Sequence, residues 1–136
     1  MFLIDTVVIS ELRKSRPSAS VVRWFRRQRD SDLFLSVVTL SEIERGIEKK
    51  RRTDPEFSAK LSIWLESLVN VYGDRVLPVS PAIARRWGAL SACYGNESAD
   101  LLIAATALTH GLTVATRNVT DFSGTNVDVV DPFVSS

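Results

Sequence analysis

Four carboxylates in this chain stand where one structural element gives way to the next: Asp5, Glu42, Asp100 and Asp121, with Asn118 close before the last of them. Several carboxylates brought to one place repel one another unless something positive sits among them. Hard oxygen donors select Mg²⁺, Mn²⁺ or Ca²⁺, and Mg²⁺ is typically held by a few carboxylates together with substrate phosphate. The chemistry that such a cluster points to is metal-assisted hydrolysis of a phosphodiester. Each acid also has a plain structural role open to it. Asp5 can cap the helix that follows it, Asp100 can complement a helix dipole, Asp121 can serve a turn and Glu42 can be a solvated helix acid.

Other chemistries are poorly supplied. With one histidine and one cysteine a zinc site lacks ligands. His110 stands beside Gly111, which suits the end of a helix better than a catalytic triad. No phosphate loop of the G-x-x-x-x-G-K type is present. Aspartyl-phosphate chemistry with Asp5 as nucleophile would call for a second acid two residues on, where Val7 stands, and no lysine offers itself as partner.

The elements that would position the acids can be read from the apolar pattern. Phe2 to Ile4 is a short apolar strand ending at Asp5, and residues 6–14 continue as a helix closed near Pro17. Ser18 to Gln28 is a second helix, with Val21, Val22, Trp24 and Phe25 on one stripe and arginines outside. A strand follows over Leu33–Val38, then a helix with Leu40, Ile43 and Ile47 on one face, capped by Thr39 or Ser41. Asp54-Pro55 starts a helix that runs to Gly73, and Arg75–Val79 is a third strand. Ser80-Pro81 opens a helix closed by Gly95, and Ser98 caps a nearly all-apolar helix over 99–109 that Gly111 stops. Leu112–Thr116 and Val127–Val130 are the last strands. Short strands without polar alternation, interleaved with helices, indicate an α/β fold whose parallel sheet is covered on both faces. In such sheets sites form beyond the carboxyl ends of the strands, which is where Asp5, Glu42, Asn118 and Asp121 fall. Asp100 joins them if its helix starts at the same edge.

The bulk properties bound the class. The chain has 136 residues, 45% of them hydrophobic and 24% charged, as expected of one globular domain over residues 1–136. No apolar run approaches the roughly 18 residues needed to cross a bilayer. The acid at position 5 and the lack of a basic leader argue against a signal peptide, and the single Cys93 fits a reducing compartment. The expectation is a soluble cytoplasmic protein without a membrane partner. Net charge is only +1, but Arg23–Arg29 and Arg45–Arg52 are locally basic, which suits either phosphate contact or a solvated helix face.

Four ordered motifs resemble the PIN-domain family, most nearly its VapC-type toxins and their FitB-like members. They are the run from Phe2 to Lys14 (FLIDTVVISELRK), Leu35 to Gly46 (LSVVTLSEIERG), Ala99 to Leu108 (ADLLIAATAL) and Leu112 to Phe122 (LTVATRNVTDF). The resemblance covers essentially the whole chain. It implies a PIN-like three-layer α/β sandwich with a parallel sheet of about five strands. It implies a Mg²⁺- or Mn²⁺-dependent endoribonuclease that acts as the toxin of a toxin–antitoxin pair and inhibits translation, with tRNA or another structured RNA as substrate. By motif, Asp5, Glu42, Asp100 and Asp121 are the catalytic acids. Asp5, Asp100 and Asp121 are the metal ligands, with Asn118 a competing or additional one, and Thr6 and Thr116 are supporting hydroxyls. Arg117 is the arginine best placed by sequence for RNA phosphates. The family likeness further implies a homodimer and a toxin–antitoxin hetero-oligomer, in which the antitoxin covers the acid site. The helices carrying Trp24, Phe25, Trp64 and Trp87 are candidates for core or interface.

One position departs from the family's usual Asp-Thr-Asn opening, because the third residue here is Val7. Valine makes no hydrogen bond, so a weakened nuclease is expected. The alternative reading is a PIN-like module that binds RNA or an antitoxin without efficient cleavage.

Overall fold

The computed structural model describes residues 1–134. Its five strands are β1 (Phe2–Ile4), β2 (Leu33–Ser36), β3 (Val76–Leu77), β4 (Thr113–Ala115) and β5 (Val129–Val130). All pair in parallel, in the order β3-β2-β1-β4-β5. The central strand is therefore β1, and it pairs with β4, far from it in sequence, in the register Phe2–Thr113, Leu3–Val114 and Ile4–Ala115. The helices are α1 (Thr6–Glu11), α2 (Ala19–Arg26), α3 (Val37–Lys50), α4 (Pro55–Tyr72), α5 (Pro81–Tyr94) and α6 (Ala99–His110).

Alternation along the strands sorts the core into two halves. Ile4, Leu33, Leu35 and Ala115 face a cluster built with Val8, Val21, Trp24, Ile43, Ile47, Leu61 and Leu68, so α1 to α4 cover that face. Leu3 and Val114 point the other way, to Leu77, Ile103, Ala104, Ala107, Leu112 and Phe122, so α6 covers the second face, with Leu90 of α5 packed against it. The result is the three-layer α/β sandwich expected. Trp24 is a core residue, edge-on to Phe2 with ring centroids 4.9 Å apart.

Some boundaries differ from the sequence reading. The apolar run Leu33–Val38 is strand only to Ser36, whose hydroxyl accepts from the Val38 N–H and starts α3 there, ahead of Thr39 and Ser41. A buried strand and a buried helix look alike when every position is apolar. The third strand is confined to Val76–Leu77 because Gly73–Arg75 forms a 3-10 turn and Pro78, which has no N–H, follows. The first helix ends at Glu11, and the last strand begins at Val129. The helix starts at Asp54, Ser80 and Ser98 stand where the sequence puts them, while Ser18, read as the first residue of its helix, is the cap of α2, which ends at Arg26.

Candidate functional site

The site is built at the carboxyl edge of β1 and β4. Asp5 is the first residue after β1, and its backbone N–H donates to the Ala115 carbonyl at 2.9 Å, which ties it to β4. Its carboxylate is held at both oxygens. Oδ1 accepts from the Thr6 N–H at 2.9 Å as the cap of α1, and Oδ2 accepts from the Thr116 hydroxyl at 2.8 Å. Asp5 is buried, and burial pushes its carboxyl above the ordinary range; the two hydrogen bonds oppose that rise, and the Asp121 charge adds to it. The cap reading and the site reading of Asp5 are met by the same geometry.

Glu42 lies in the second turn of α3 and is exposed. Its Oε1 accepts from the Thr6 hydroxyl at 2.8 Å, and the same Thr6 oxygen lies 3.1 Å from the hydroxyl of Thr39. A carboxylate can only accept, and Thr6 has a single hydroxyl hydrogen. Thr6 therefore donates to Glu42, and Thr39 donates to Thr6. Thr39 is fully buried, and Thr6 is its hydrogen-bond partner. Sequence reading placed Thr39 only as a possible helix cap. The signal that could have found it is its spacing: Thr39 stands three residues before Glu42, on the same helix face.

Asp100 occupies the first turn of α6. A helix that feeds a parallel strand begins at the strands' carboxyl edge, so α6 delivers its N-terminus there before running back to Gly111. At Gly111 a left-handed φ of +66° turns the chain directly into β4. Asp100 is half-buried, and burial raises its carboxyl; the charges of Asp5, Asp121 and Glu42 raise it further, in that order. The four acids named from the sequence are thus one electrostatic group. Asp121 lies exposed in the 3-10 turn Val119–Phe122, and its N–H donates to the Asn118 carbonyl at 3.0 Å. Asn118 is exposed, with its own N–H donating to Thr116 Oγ1 at 3.0 Å.

Among the described residues, no group of three or more Asp, Glu, His or Cys side chains is gathered tightly enough to hold an ion by itself. The arrangement is an open set of oxygen donors whose mutual repulsion a cation would relieve. That fits Mg²⁺, which keeps several waters and takes only one or two carboxylates; it does not fit a closed structural cage.

Other named residues are placed as follows. Arg117 is exposed, its guanidinium 4.3 Å from the Phe133 ring centroid and its charge felt by Glu11. Glu11 ion-pairs with Lys14 at 2.8 Å and accepts from the Ser18 N–H at 2.9 Å; these contacts hold its carboxyl low and fasten the α1–α2 connection. Val7 is partly buried against the cluster under α1–α4 and offers the site no polar atom. Trp87 is half-buried and donates its indole N–H to the Ser98 carbonyl at 3.2 Å.

Comparison with known proteins shows the family and the fold. The PIN domain model matches residues 2–125. The VapC ribonuclease Y4jK of Sinorhizobium fredii is 34% identical over 142 aligned positions, covering 98% of each chain. The toxin FitB of Neisseria gonorrhoeae is 33% identical, over 98% of this chain and 99% of its own. The crystal structure of FitAcB from Neisseria gonorrhoeae superposes with a TM-score of 0.85 at 33% identity, covering 98% of this chain and 99% of that one.

Proposed function

This chain belongs to the PIN-domain family, and on that premise we propose that it is a divalent-metal-dependent endoribonuclease, the toxin of a toxin–antitoxin pair. The observation that carries the reading is the placement of Asp5 at the end of β1, bonded to Thr116 at the end of β4, at the sheet edge where α6 begins with Asp100; the raised Asp100 carboxyl is in keeping with it. Acids that repel one another at a sheet edge are a setting that a divalent cation and a phosphodiester would relieve, which supports the reading. The likeness to FitB and to a VapC ribonuclease supports the toxin reading.

In this reading Asp5, Asp100 and Asp121 would hold Mg²⁺ or Mn²⁺, with Asn118 as a competing or additional ligand. A bound ion of this kind supplies Lewis acidity at the phosphate and acidifies a coordinated water. The chain's own work is orientation. Thr116 and the Thr6 N–H fix the Asp5 carboxylate, while Thr6, backed by Thr39, orients the Glu42 carboxylate, which would serve to position a water. Arg117 neutralises flanking RNA phosphates from its seat on Phe133. The toxin acts in the cytoplasm on tRNA or another structured RNA and inhibits translation. It forms a homodimer and a complex with its antitoxin. Among the described residues no helix is long and apolar enough to cross a membrane.

The test is cleavage of mixed small RNAs by the purified chain, with RNA 5′ ends sequenced. Asp5→Asn and Asp100→Asn should abolish cleavage while the circular dichroism spectrum stays native. Full activity in EDTA would overturn the reading. A second reading, a module that binds RNA or an antitoxin without efficient cutting, draws on Val7 alone. Val7→Asn separates the two: a weakened nuclease should gain about 10-fold or more in metal affinity or rate, the scale of a supporting hydrogen bond. A module without cleavage chemistry gains nothing.

A further inference from the structure

Helix α5 carries no acid, yet two of its side chains reach the elements that bring Asp100 and Asp121 to the sheet edge. Trp87 and Tyr94 stand two helical turns apart, and so on one face of α5. The Trp87 indole N–H donates to the Ser98 carbonyl at 3.2 Å. Ser98 caps α6 just before Asp100 and is held at two further points. Its N–H donates to Asn96 Oδ1 at 3.1 Å, and its hydroxyl accepts from the Leu101 N–H at 3.3 Å. The Tyr94 hydroxyl donates to the Ser123 carbonyl at 3.3 Å, just after Asp121. The chain there is shaped to receive the ring. Gly124 has a left-handed φ of +81°, and a Cβ at that position would stand 2.6 Å from the Tyr94 oxygen. Phe122 anchors the same turn in the core, and the Thr125 hydroxyl closes it by donating to the Phe122 carbonyl at 2.6 Å.

Neither aromatic residue is explained by packing. Trp87 is half-buried, Tyr94 is exposed, and neither belongs to the two core clusters. Each spends its polar tip on a backbone carbonyl and so fixes where that carbonyl lies. Asp100 and Asp121 repel each other, and like charges at a set spacing need something outside the pair to hold both. We propose that α5 is the strut that sets the spacing of Asp100 and Asp121, with Trp87 and Tyr94 as positioning residues. Trp87 acts through Ser98 on Asp100, and Tyr94 acts through Ser123 on Asp121. The inference rests on the metal-dependent reading of the acid site and concerns how that site is assembled.

The test is Mn²⁺ binding to the purified chain, read by water proton relaxation, which reports weak sites as well as tight ones. Trp87→Phe and Tyr94→Phe each keep a ring and remove the donor. Each should weaken Mn²⁺ binding about 5-fold, less than the ~10–100-fold lost with a direct partner of a ligand. Thr109→Val removes a hydrogen bond of the same kind, to the Ala105 carbonyl near the far end of α6, and should leave Mn²⁺ affinity unchanged. A cycle in the Asp121→Asn background separates positioning from loosening. Tyr94→Phe should lose its effect there, whereas Trp87→Phe, acting on Asp100, should keep it. RNA cleavage by both variants should fall at limiting Mn²⁺ and return at saturating Mn²⁺. The proposal is overturned if either variant binds Mn²⁺ like wild type, or if Thr109→Val weakens binding as much. It is equally overturned if Tyr94→Phe costs as much in Asp121→Asn as in wild type, which marks general loosening. In each of those cases Mn²⁺-dependent cleavage by wild type leaves the ribonuclease reading standing. The expected binding pattern in a chain that cuts no RNA would overturn the ribonuclease reading alone. If wild type neither binds Mn²⁺ nor cuts RNA, both fall.

Discussion

The Thr116 hydroxyl donates to Asp5 Oδ2 at 2.8 Å, joining the first residue after β1 to the first residue after β4 across 111 positions of sequence. Both residues are buried, so this bond works in a low-dielectric setting where a charge-assisted contact is strong. It opposes the rise that burial imposes on the Asp5 carboxyl and keeps that group ionisable at the sheet edge.

Thr116→Val should therefore raise the Asp5 carboxyl further and leave its Oδ2 without a donor. Loss of a hydrogen bond to a charged group costs ~1.5–3 kcal/mol, so the variant should be less stable at neutral pH. Once acid protonates Asp5, the difference should shrink. Urea unfolding at neutral and acid pH measures both, and calorimetric Mg²⁺ titration should show affinity lowered ~10–100-fold.

The carboxyl of Asp100 is raised like that of Asp5, but here the substitution removes the charge itself, so its effect on stability is opposite to that of Thr116→Val. Its folded-state carboxyl lies above the reference value of 3.8, so its contribution to stability is fully present below that value and is lost as pH rises through the folded value. At neutral pH the ionised group opposes folding. Asp100→Asn should then raise Tm by about 1–4 °C at neutral pH, and the two curves should converge in acid. Mg²⁺ should stabilise wild type more than the variant. A variant less stable than wild type at neutral pH would contradict the electrostatic account.

Thr39 acts on Glu42 only through Thr6. Thr39→Val keeps the buried volume but removes the donor that steadies Thr6, and a turnover loss of about 10-fold is expected with Tm within a few degrees. Thr39→Ser restores the hydroxyl and should restore turnover. A defect in both variants alike would mark a packing effect instead.

The last motif offers two candidates, Asp121 and Asn118. The charge of Asp121 acts on both Asp5 and Asp100, whereas the contacts seen for Asn118 are made by its backbone. Asp121→Asn should weaken Mg²⁺ binding by about 10-fold or more, and Asn118→Ala by less. Calorimetry on the folded variants decides between them.

Much of this was legible in the chain alone. Apolar runs punctuated by Ser-Pro, Asp-Pro, Ser98 and Gly111 located the helices, because caps and stops act over a few residues and leave local marks. Runs too apolar to alternate announced a sheet buried on both faces, and the acids stood at the ends of those runs. The β2–α3 junction was not legible, since Val37 and Val38 suit a strand or a buried helix equally and only the Ser36 cap decided the matter.

Tertiary structure alone supplied what depends on separate segments meeting. It placed β4 beside β1, turned the start of α6 to the same edge and so made Asp100 feel Asp5, Asp121 and Glu42. It showed Asp5 gripped by Thr116, and Thr39 standing behind Thr6. It laid Arg117 on Phe133 and tied α5 to Ser98 and Ser123 through Trp87 and Tyr94. The types and order of the acids are local facts of sequence. Their mutual repulsion, and the hydroxyls that aim them, are distances between residues far apart in the chain, which only packing sets.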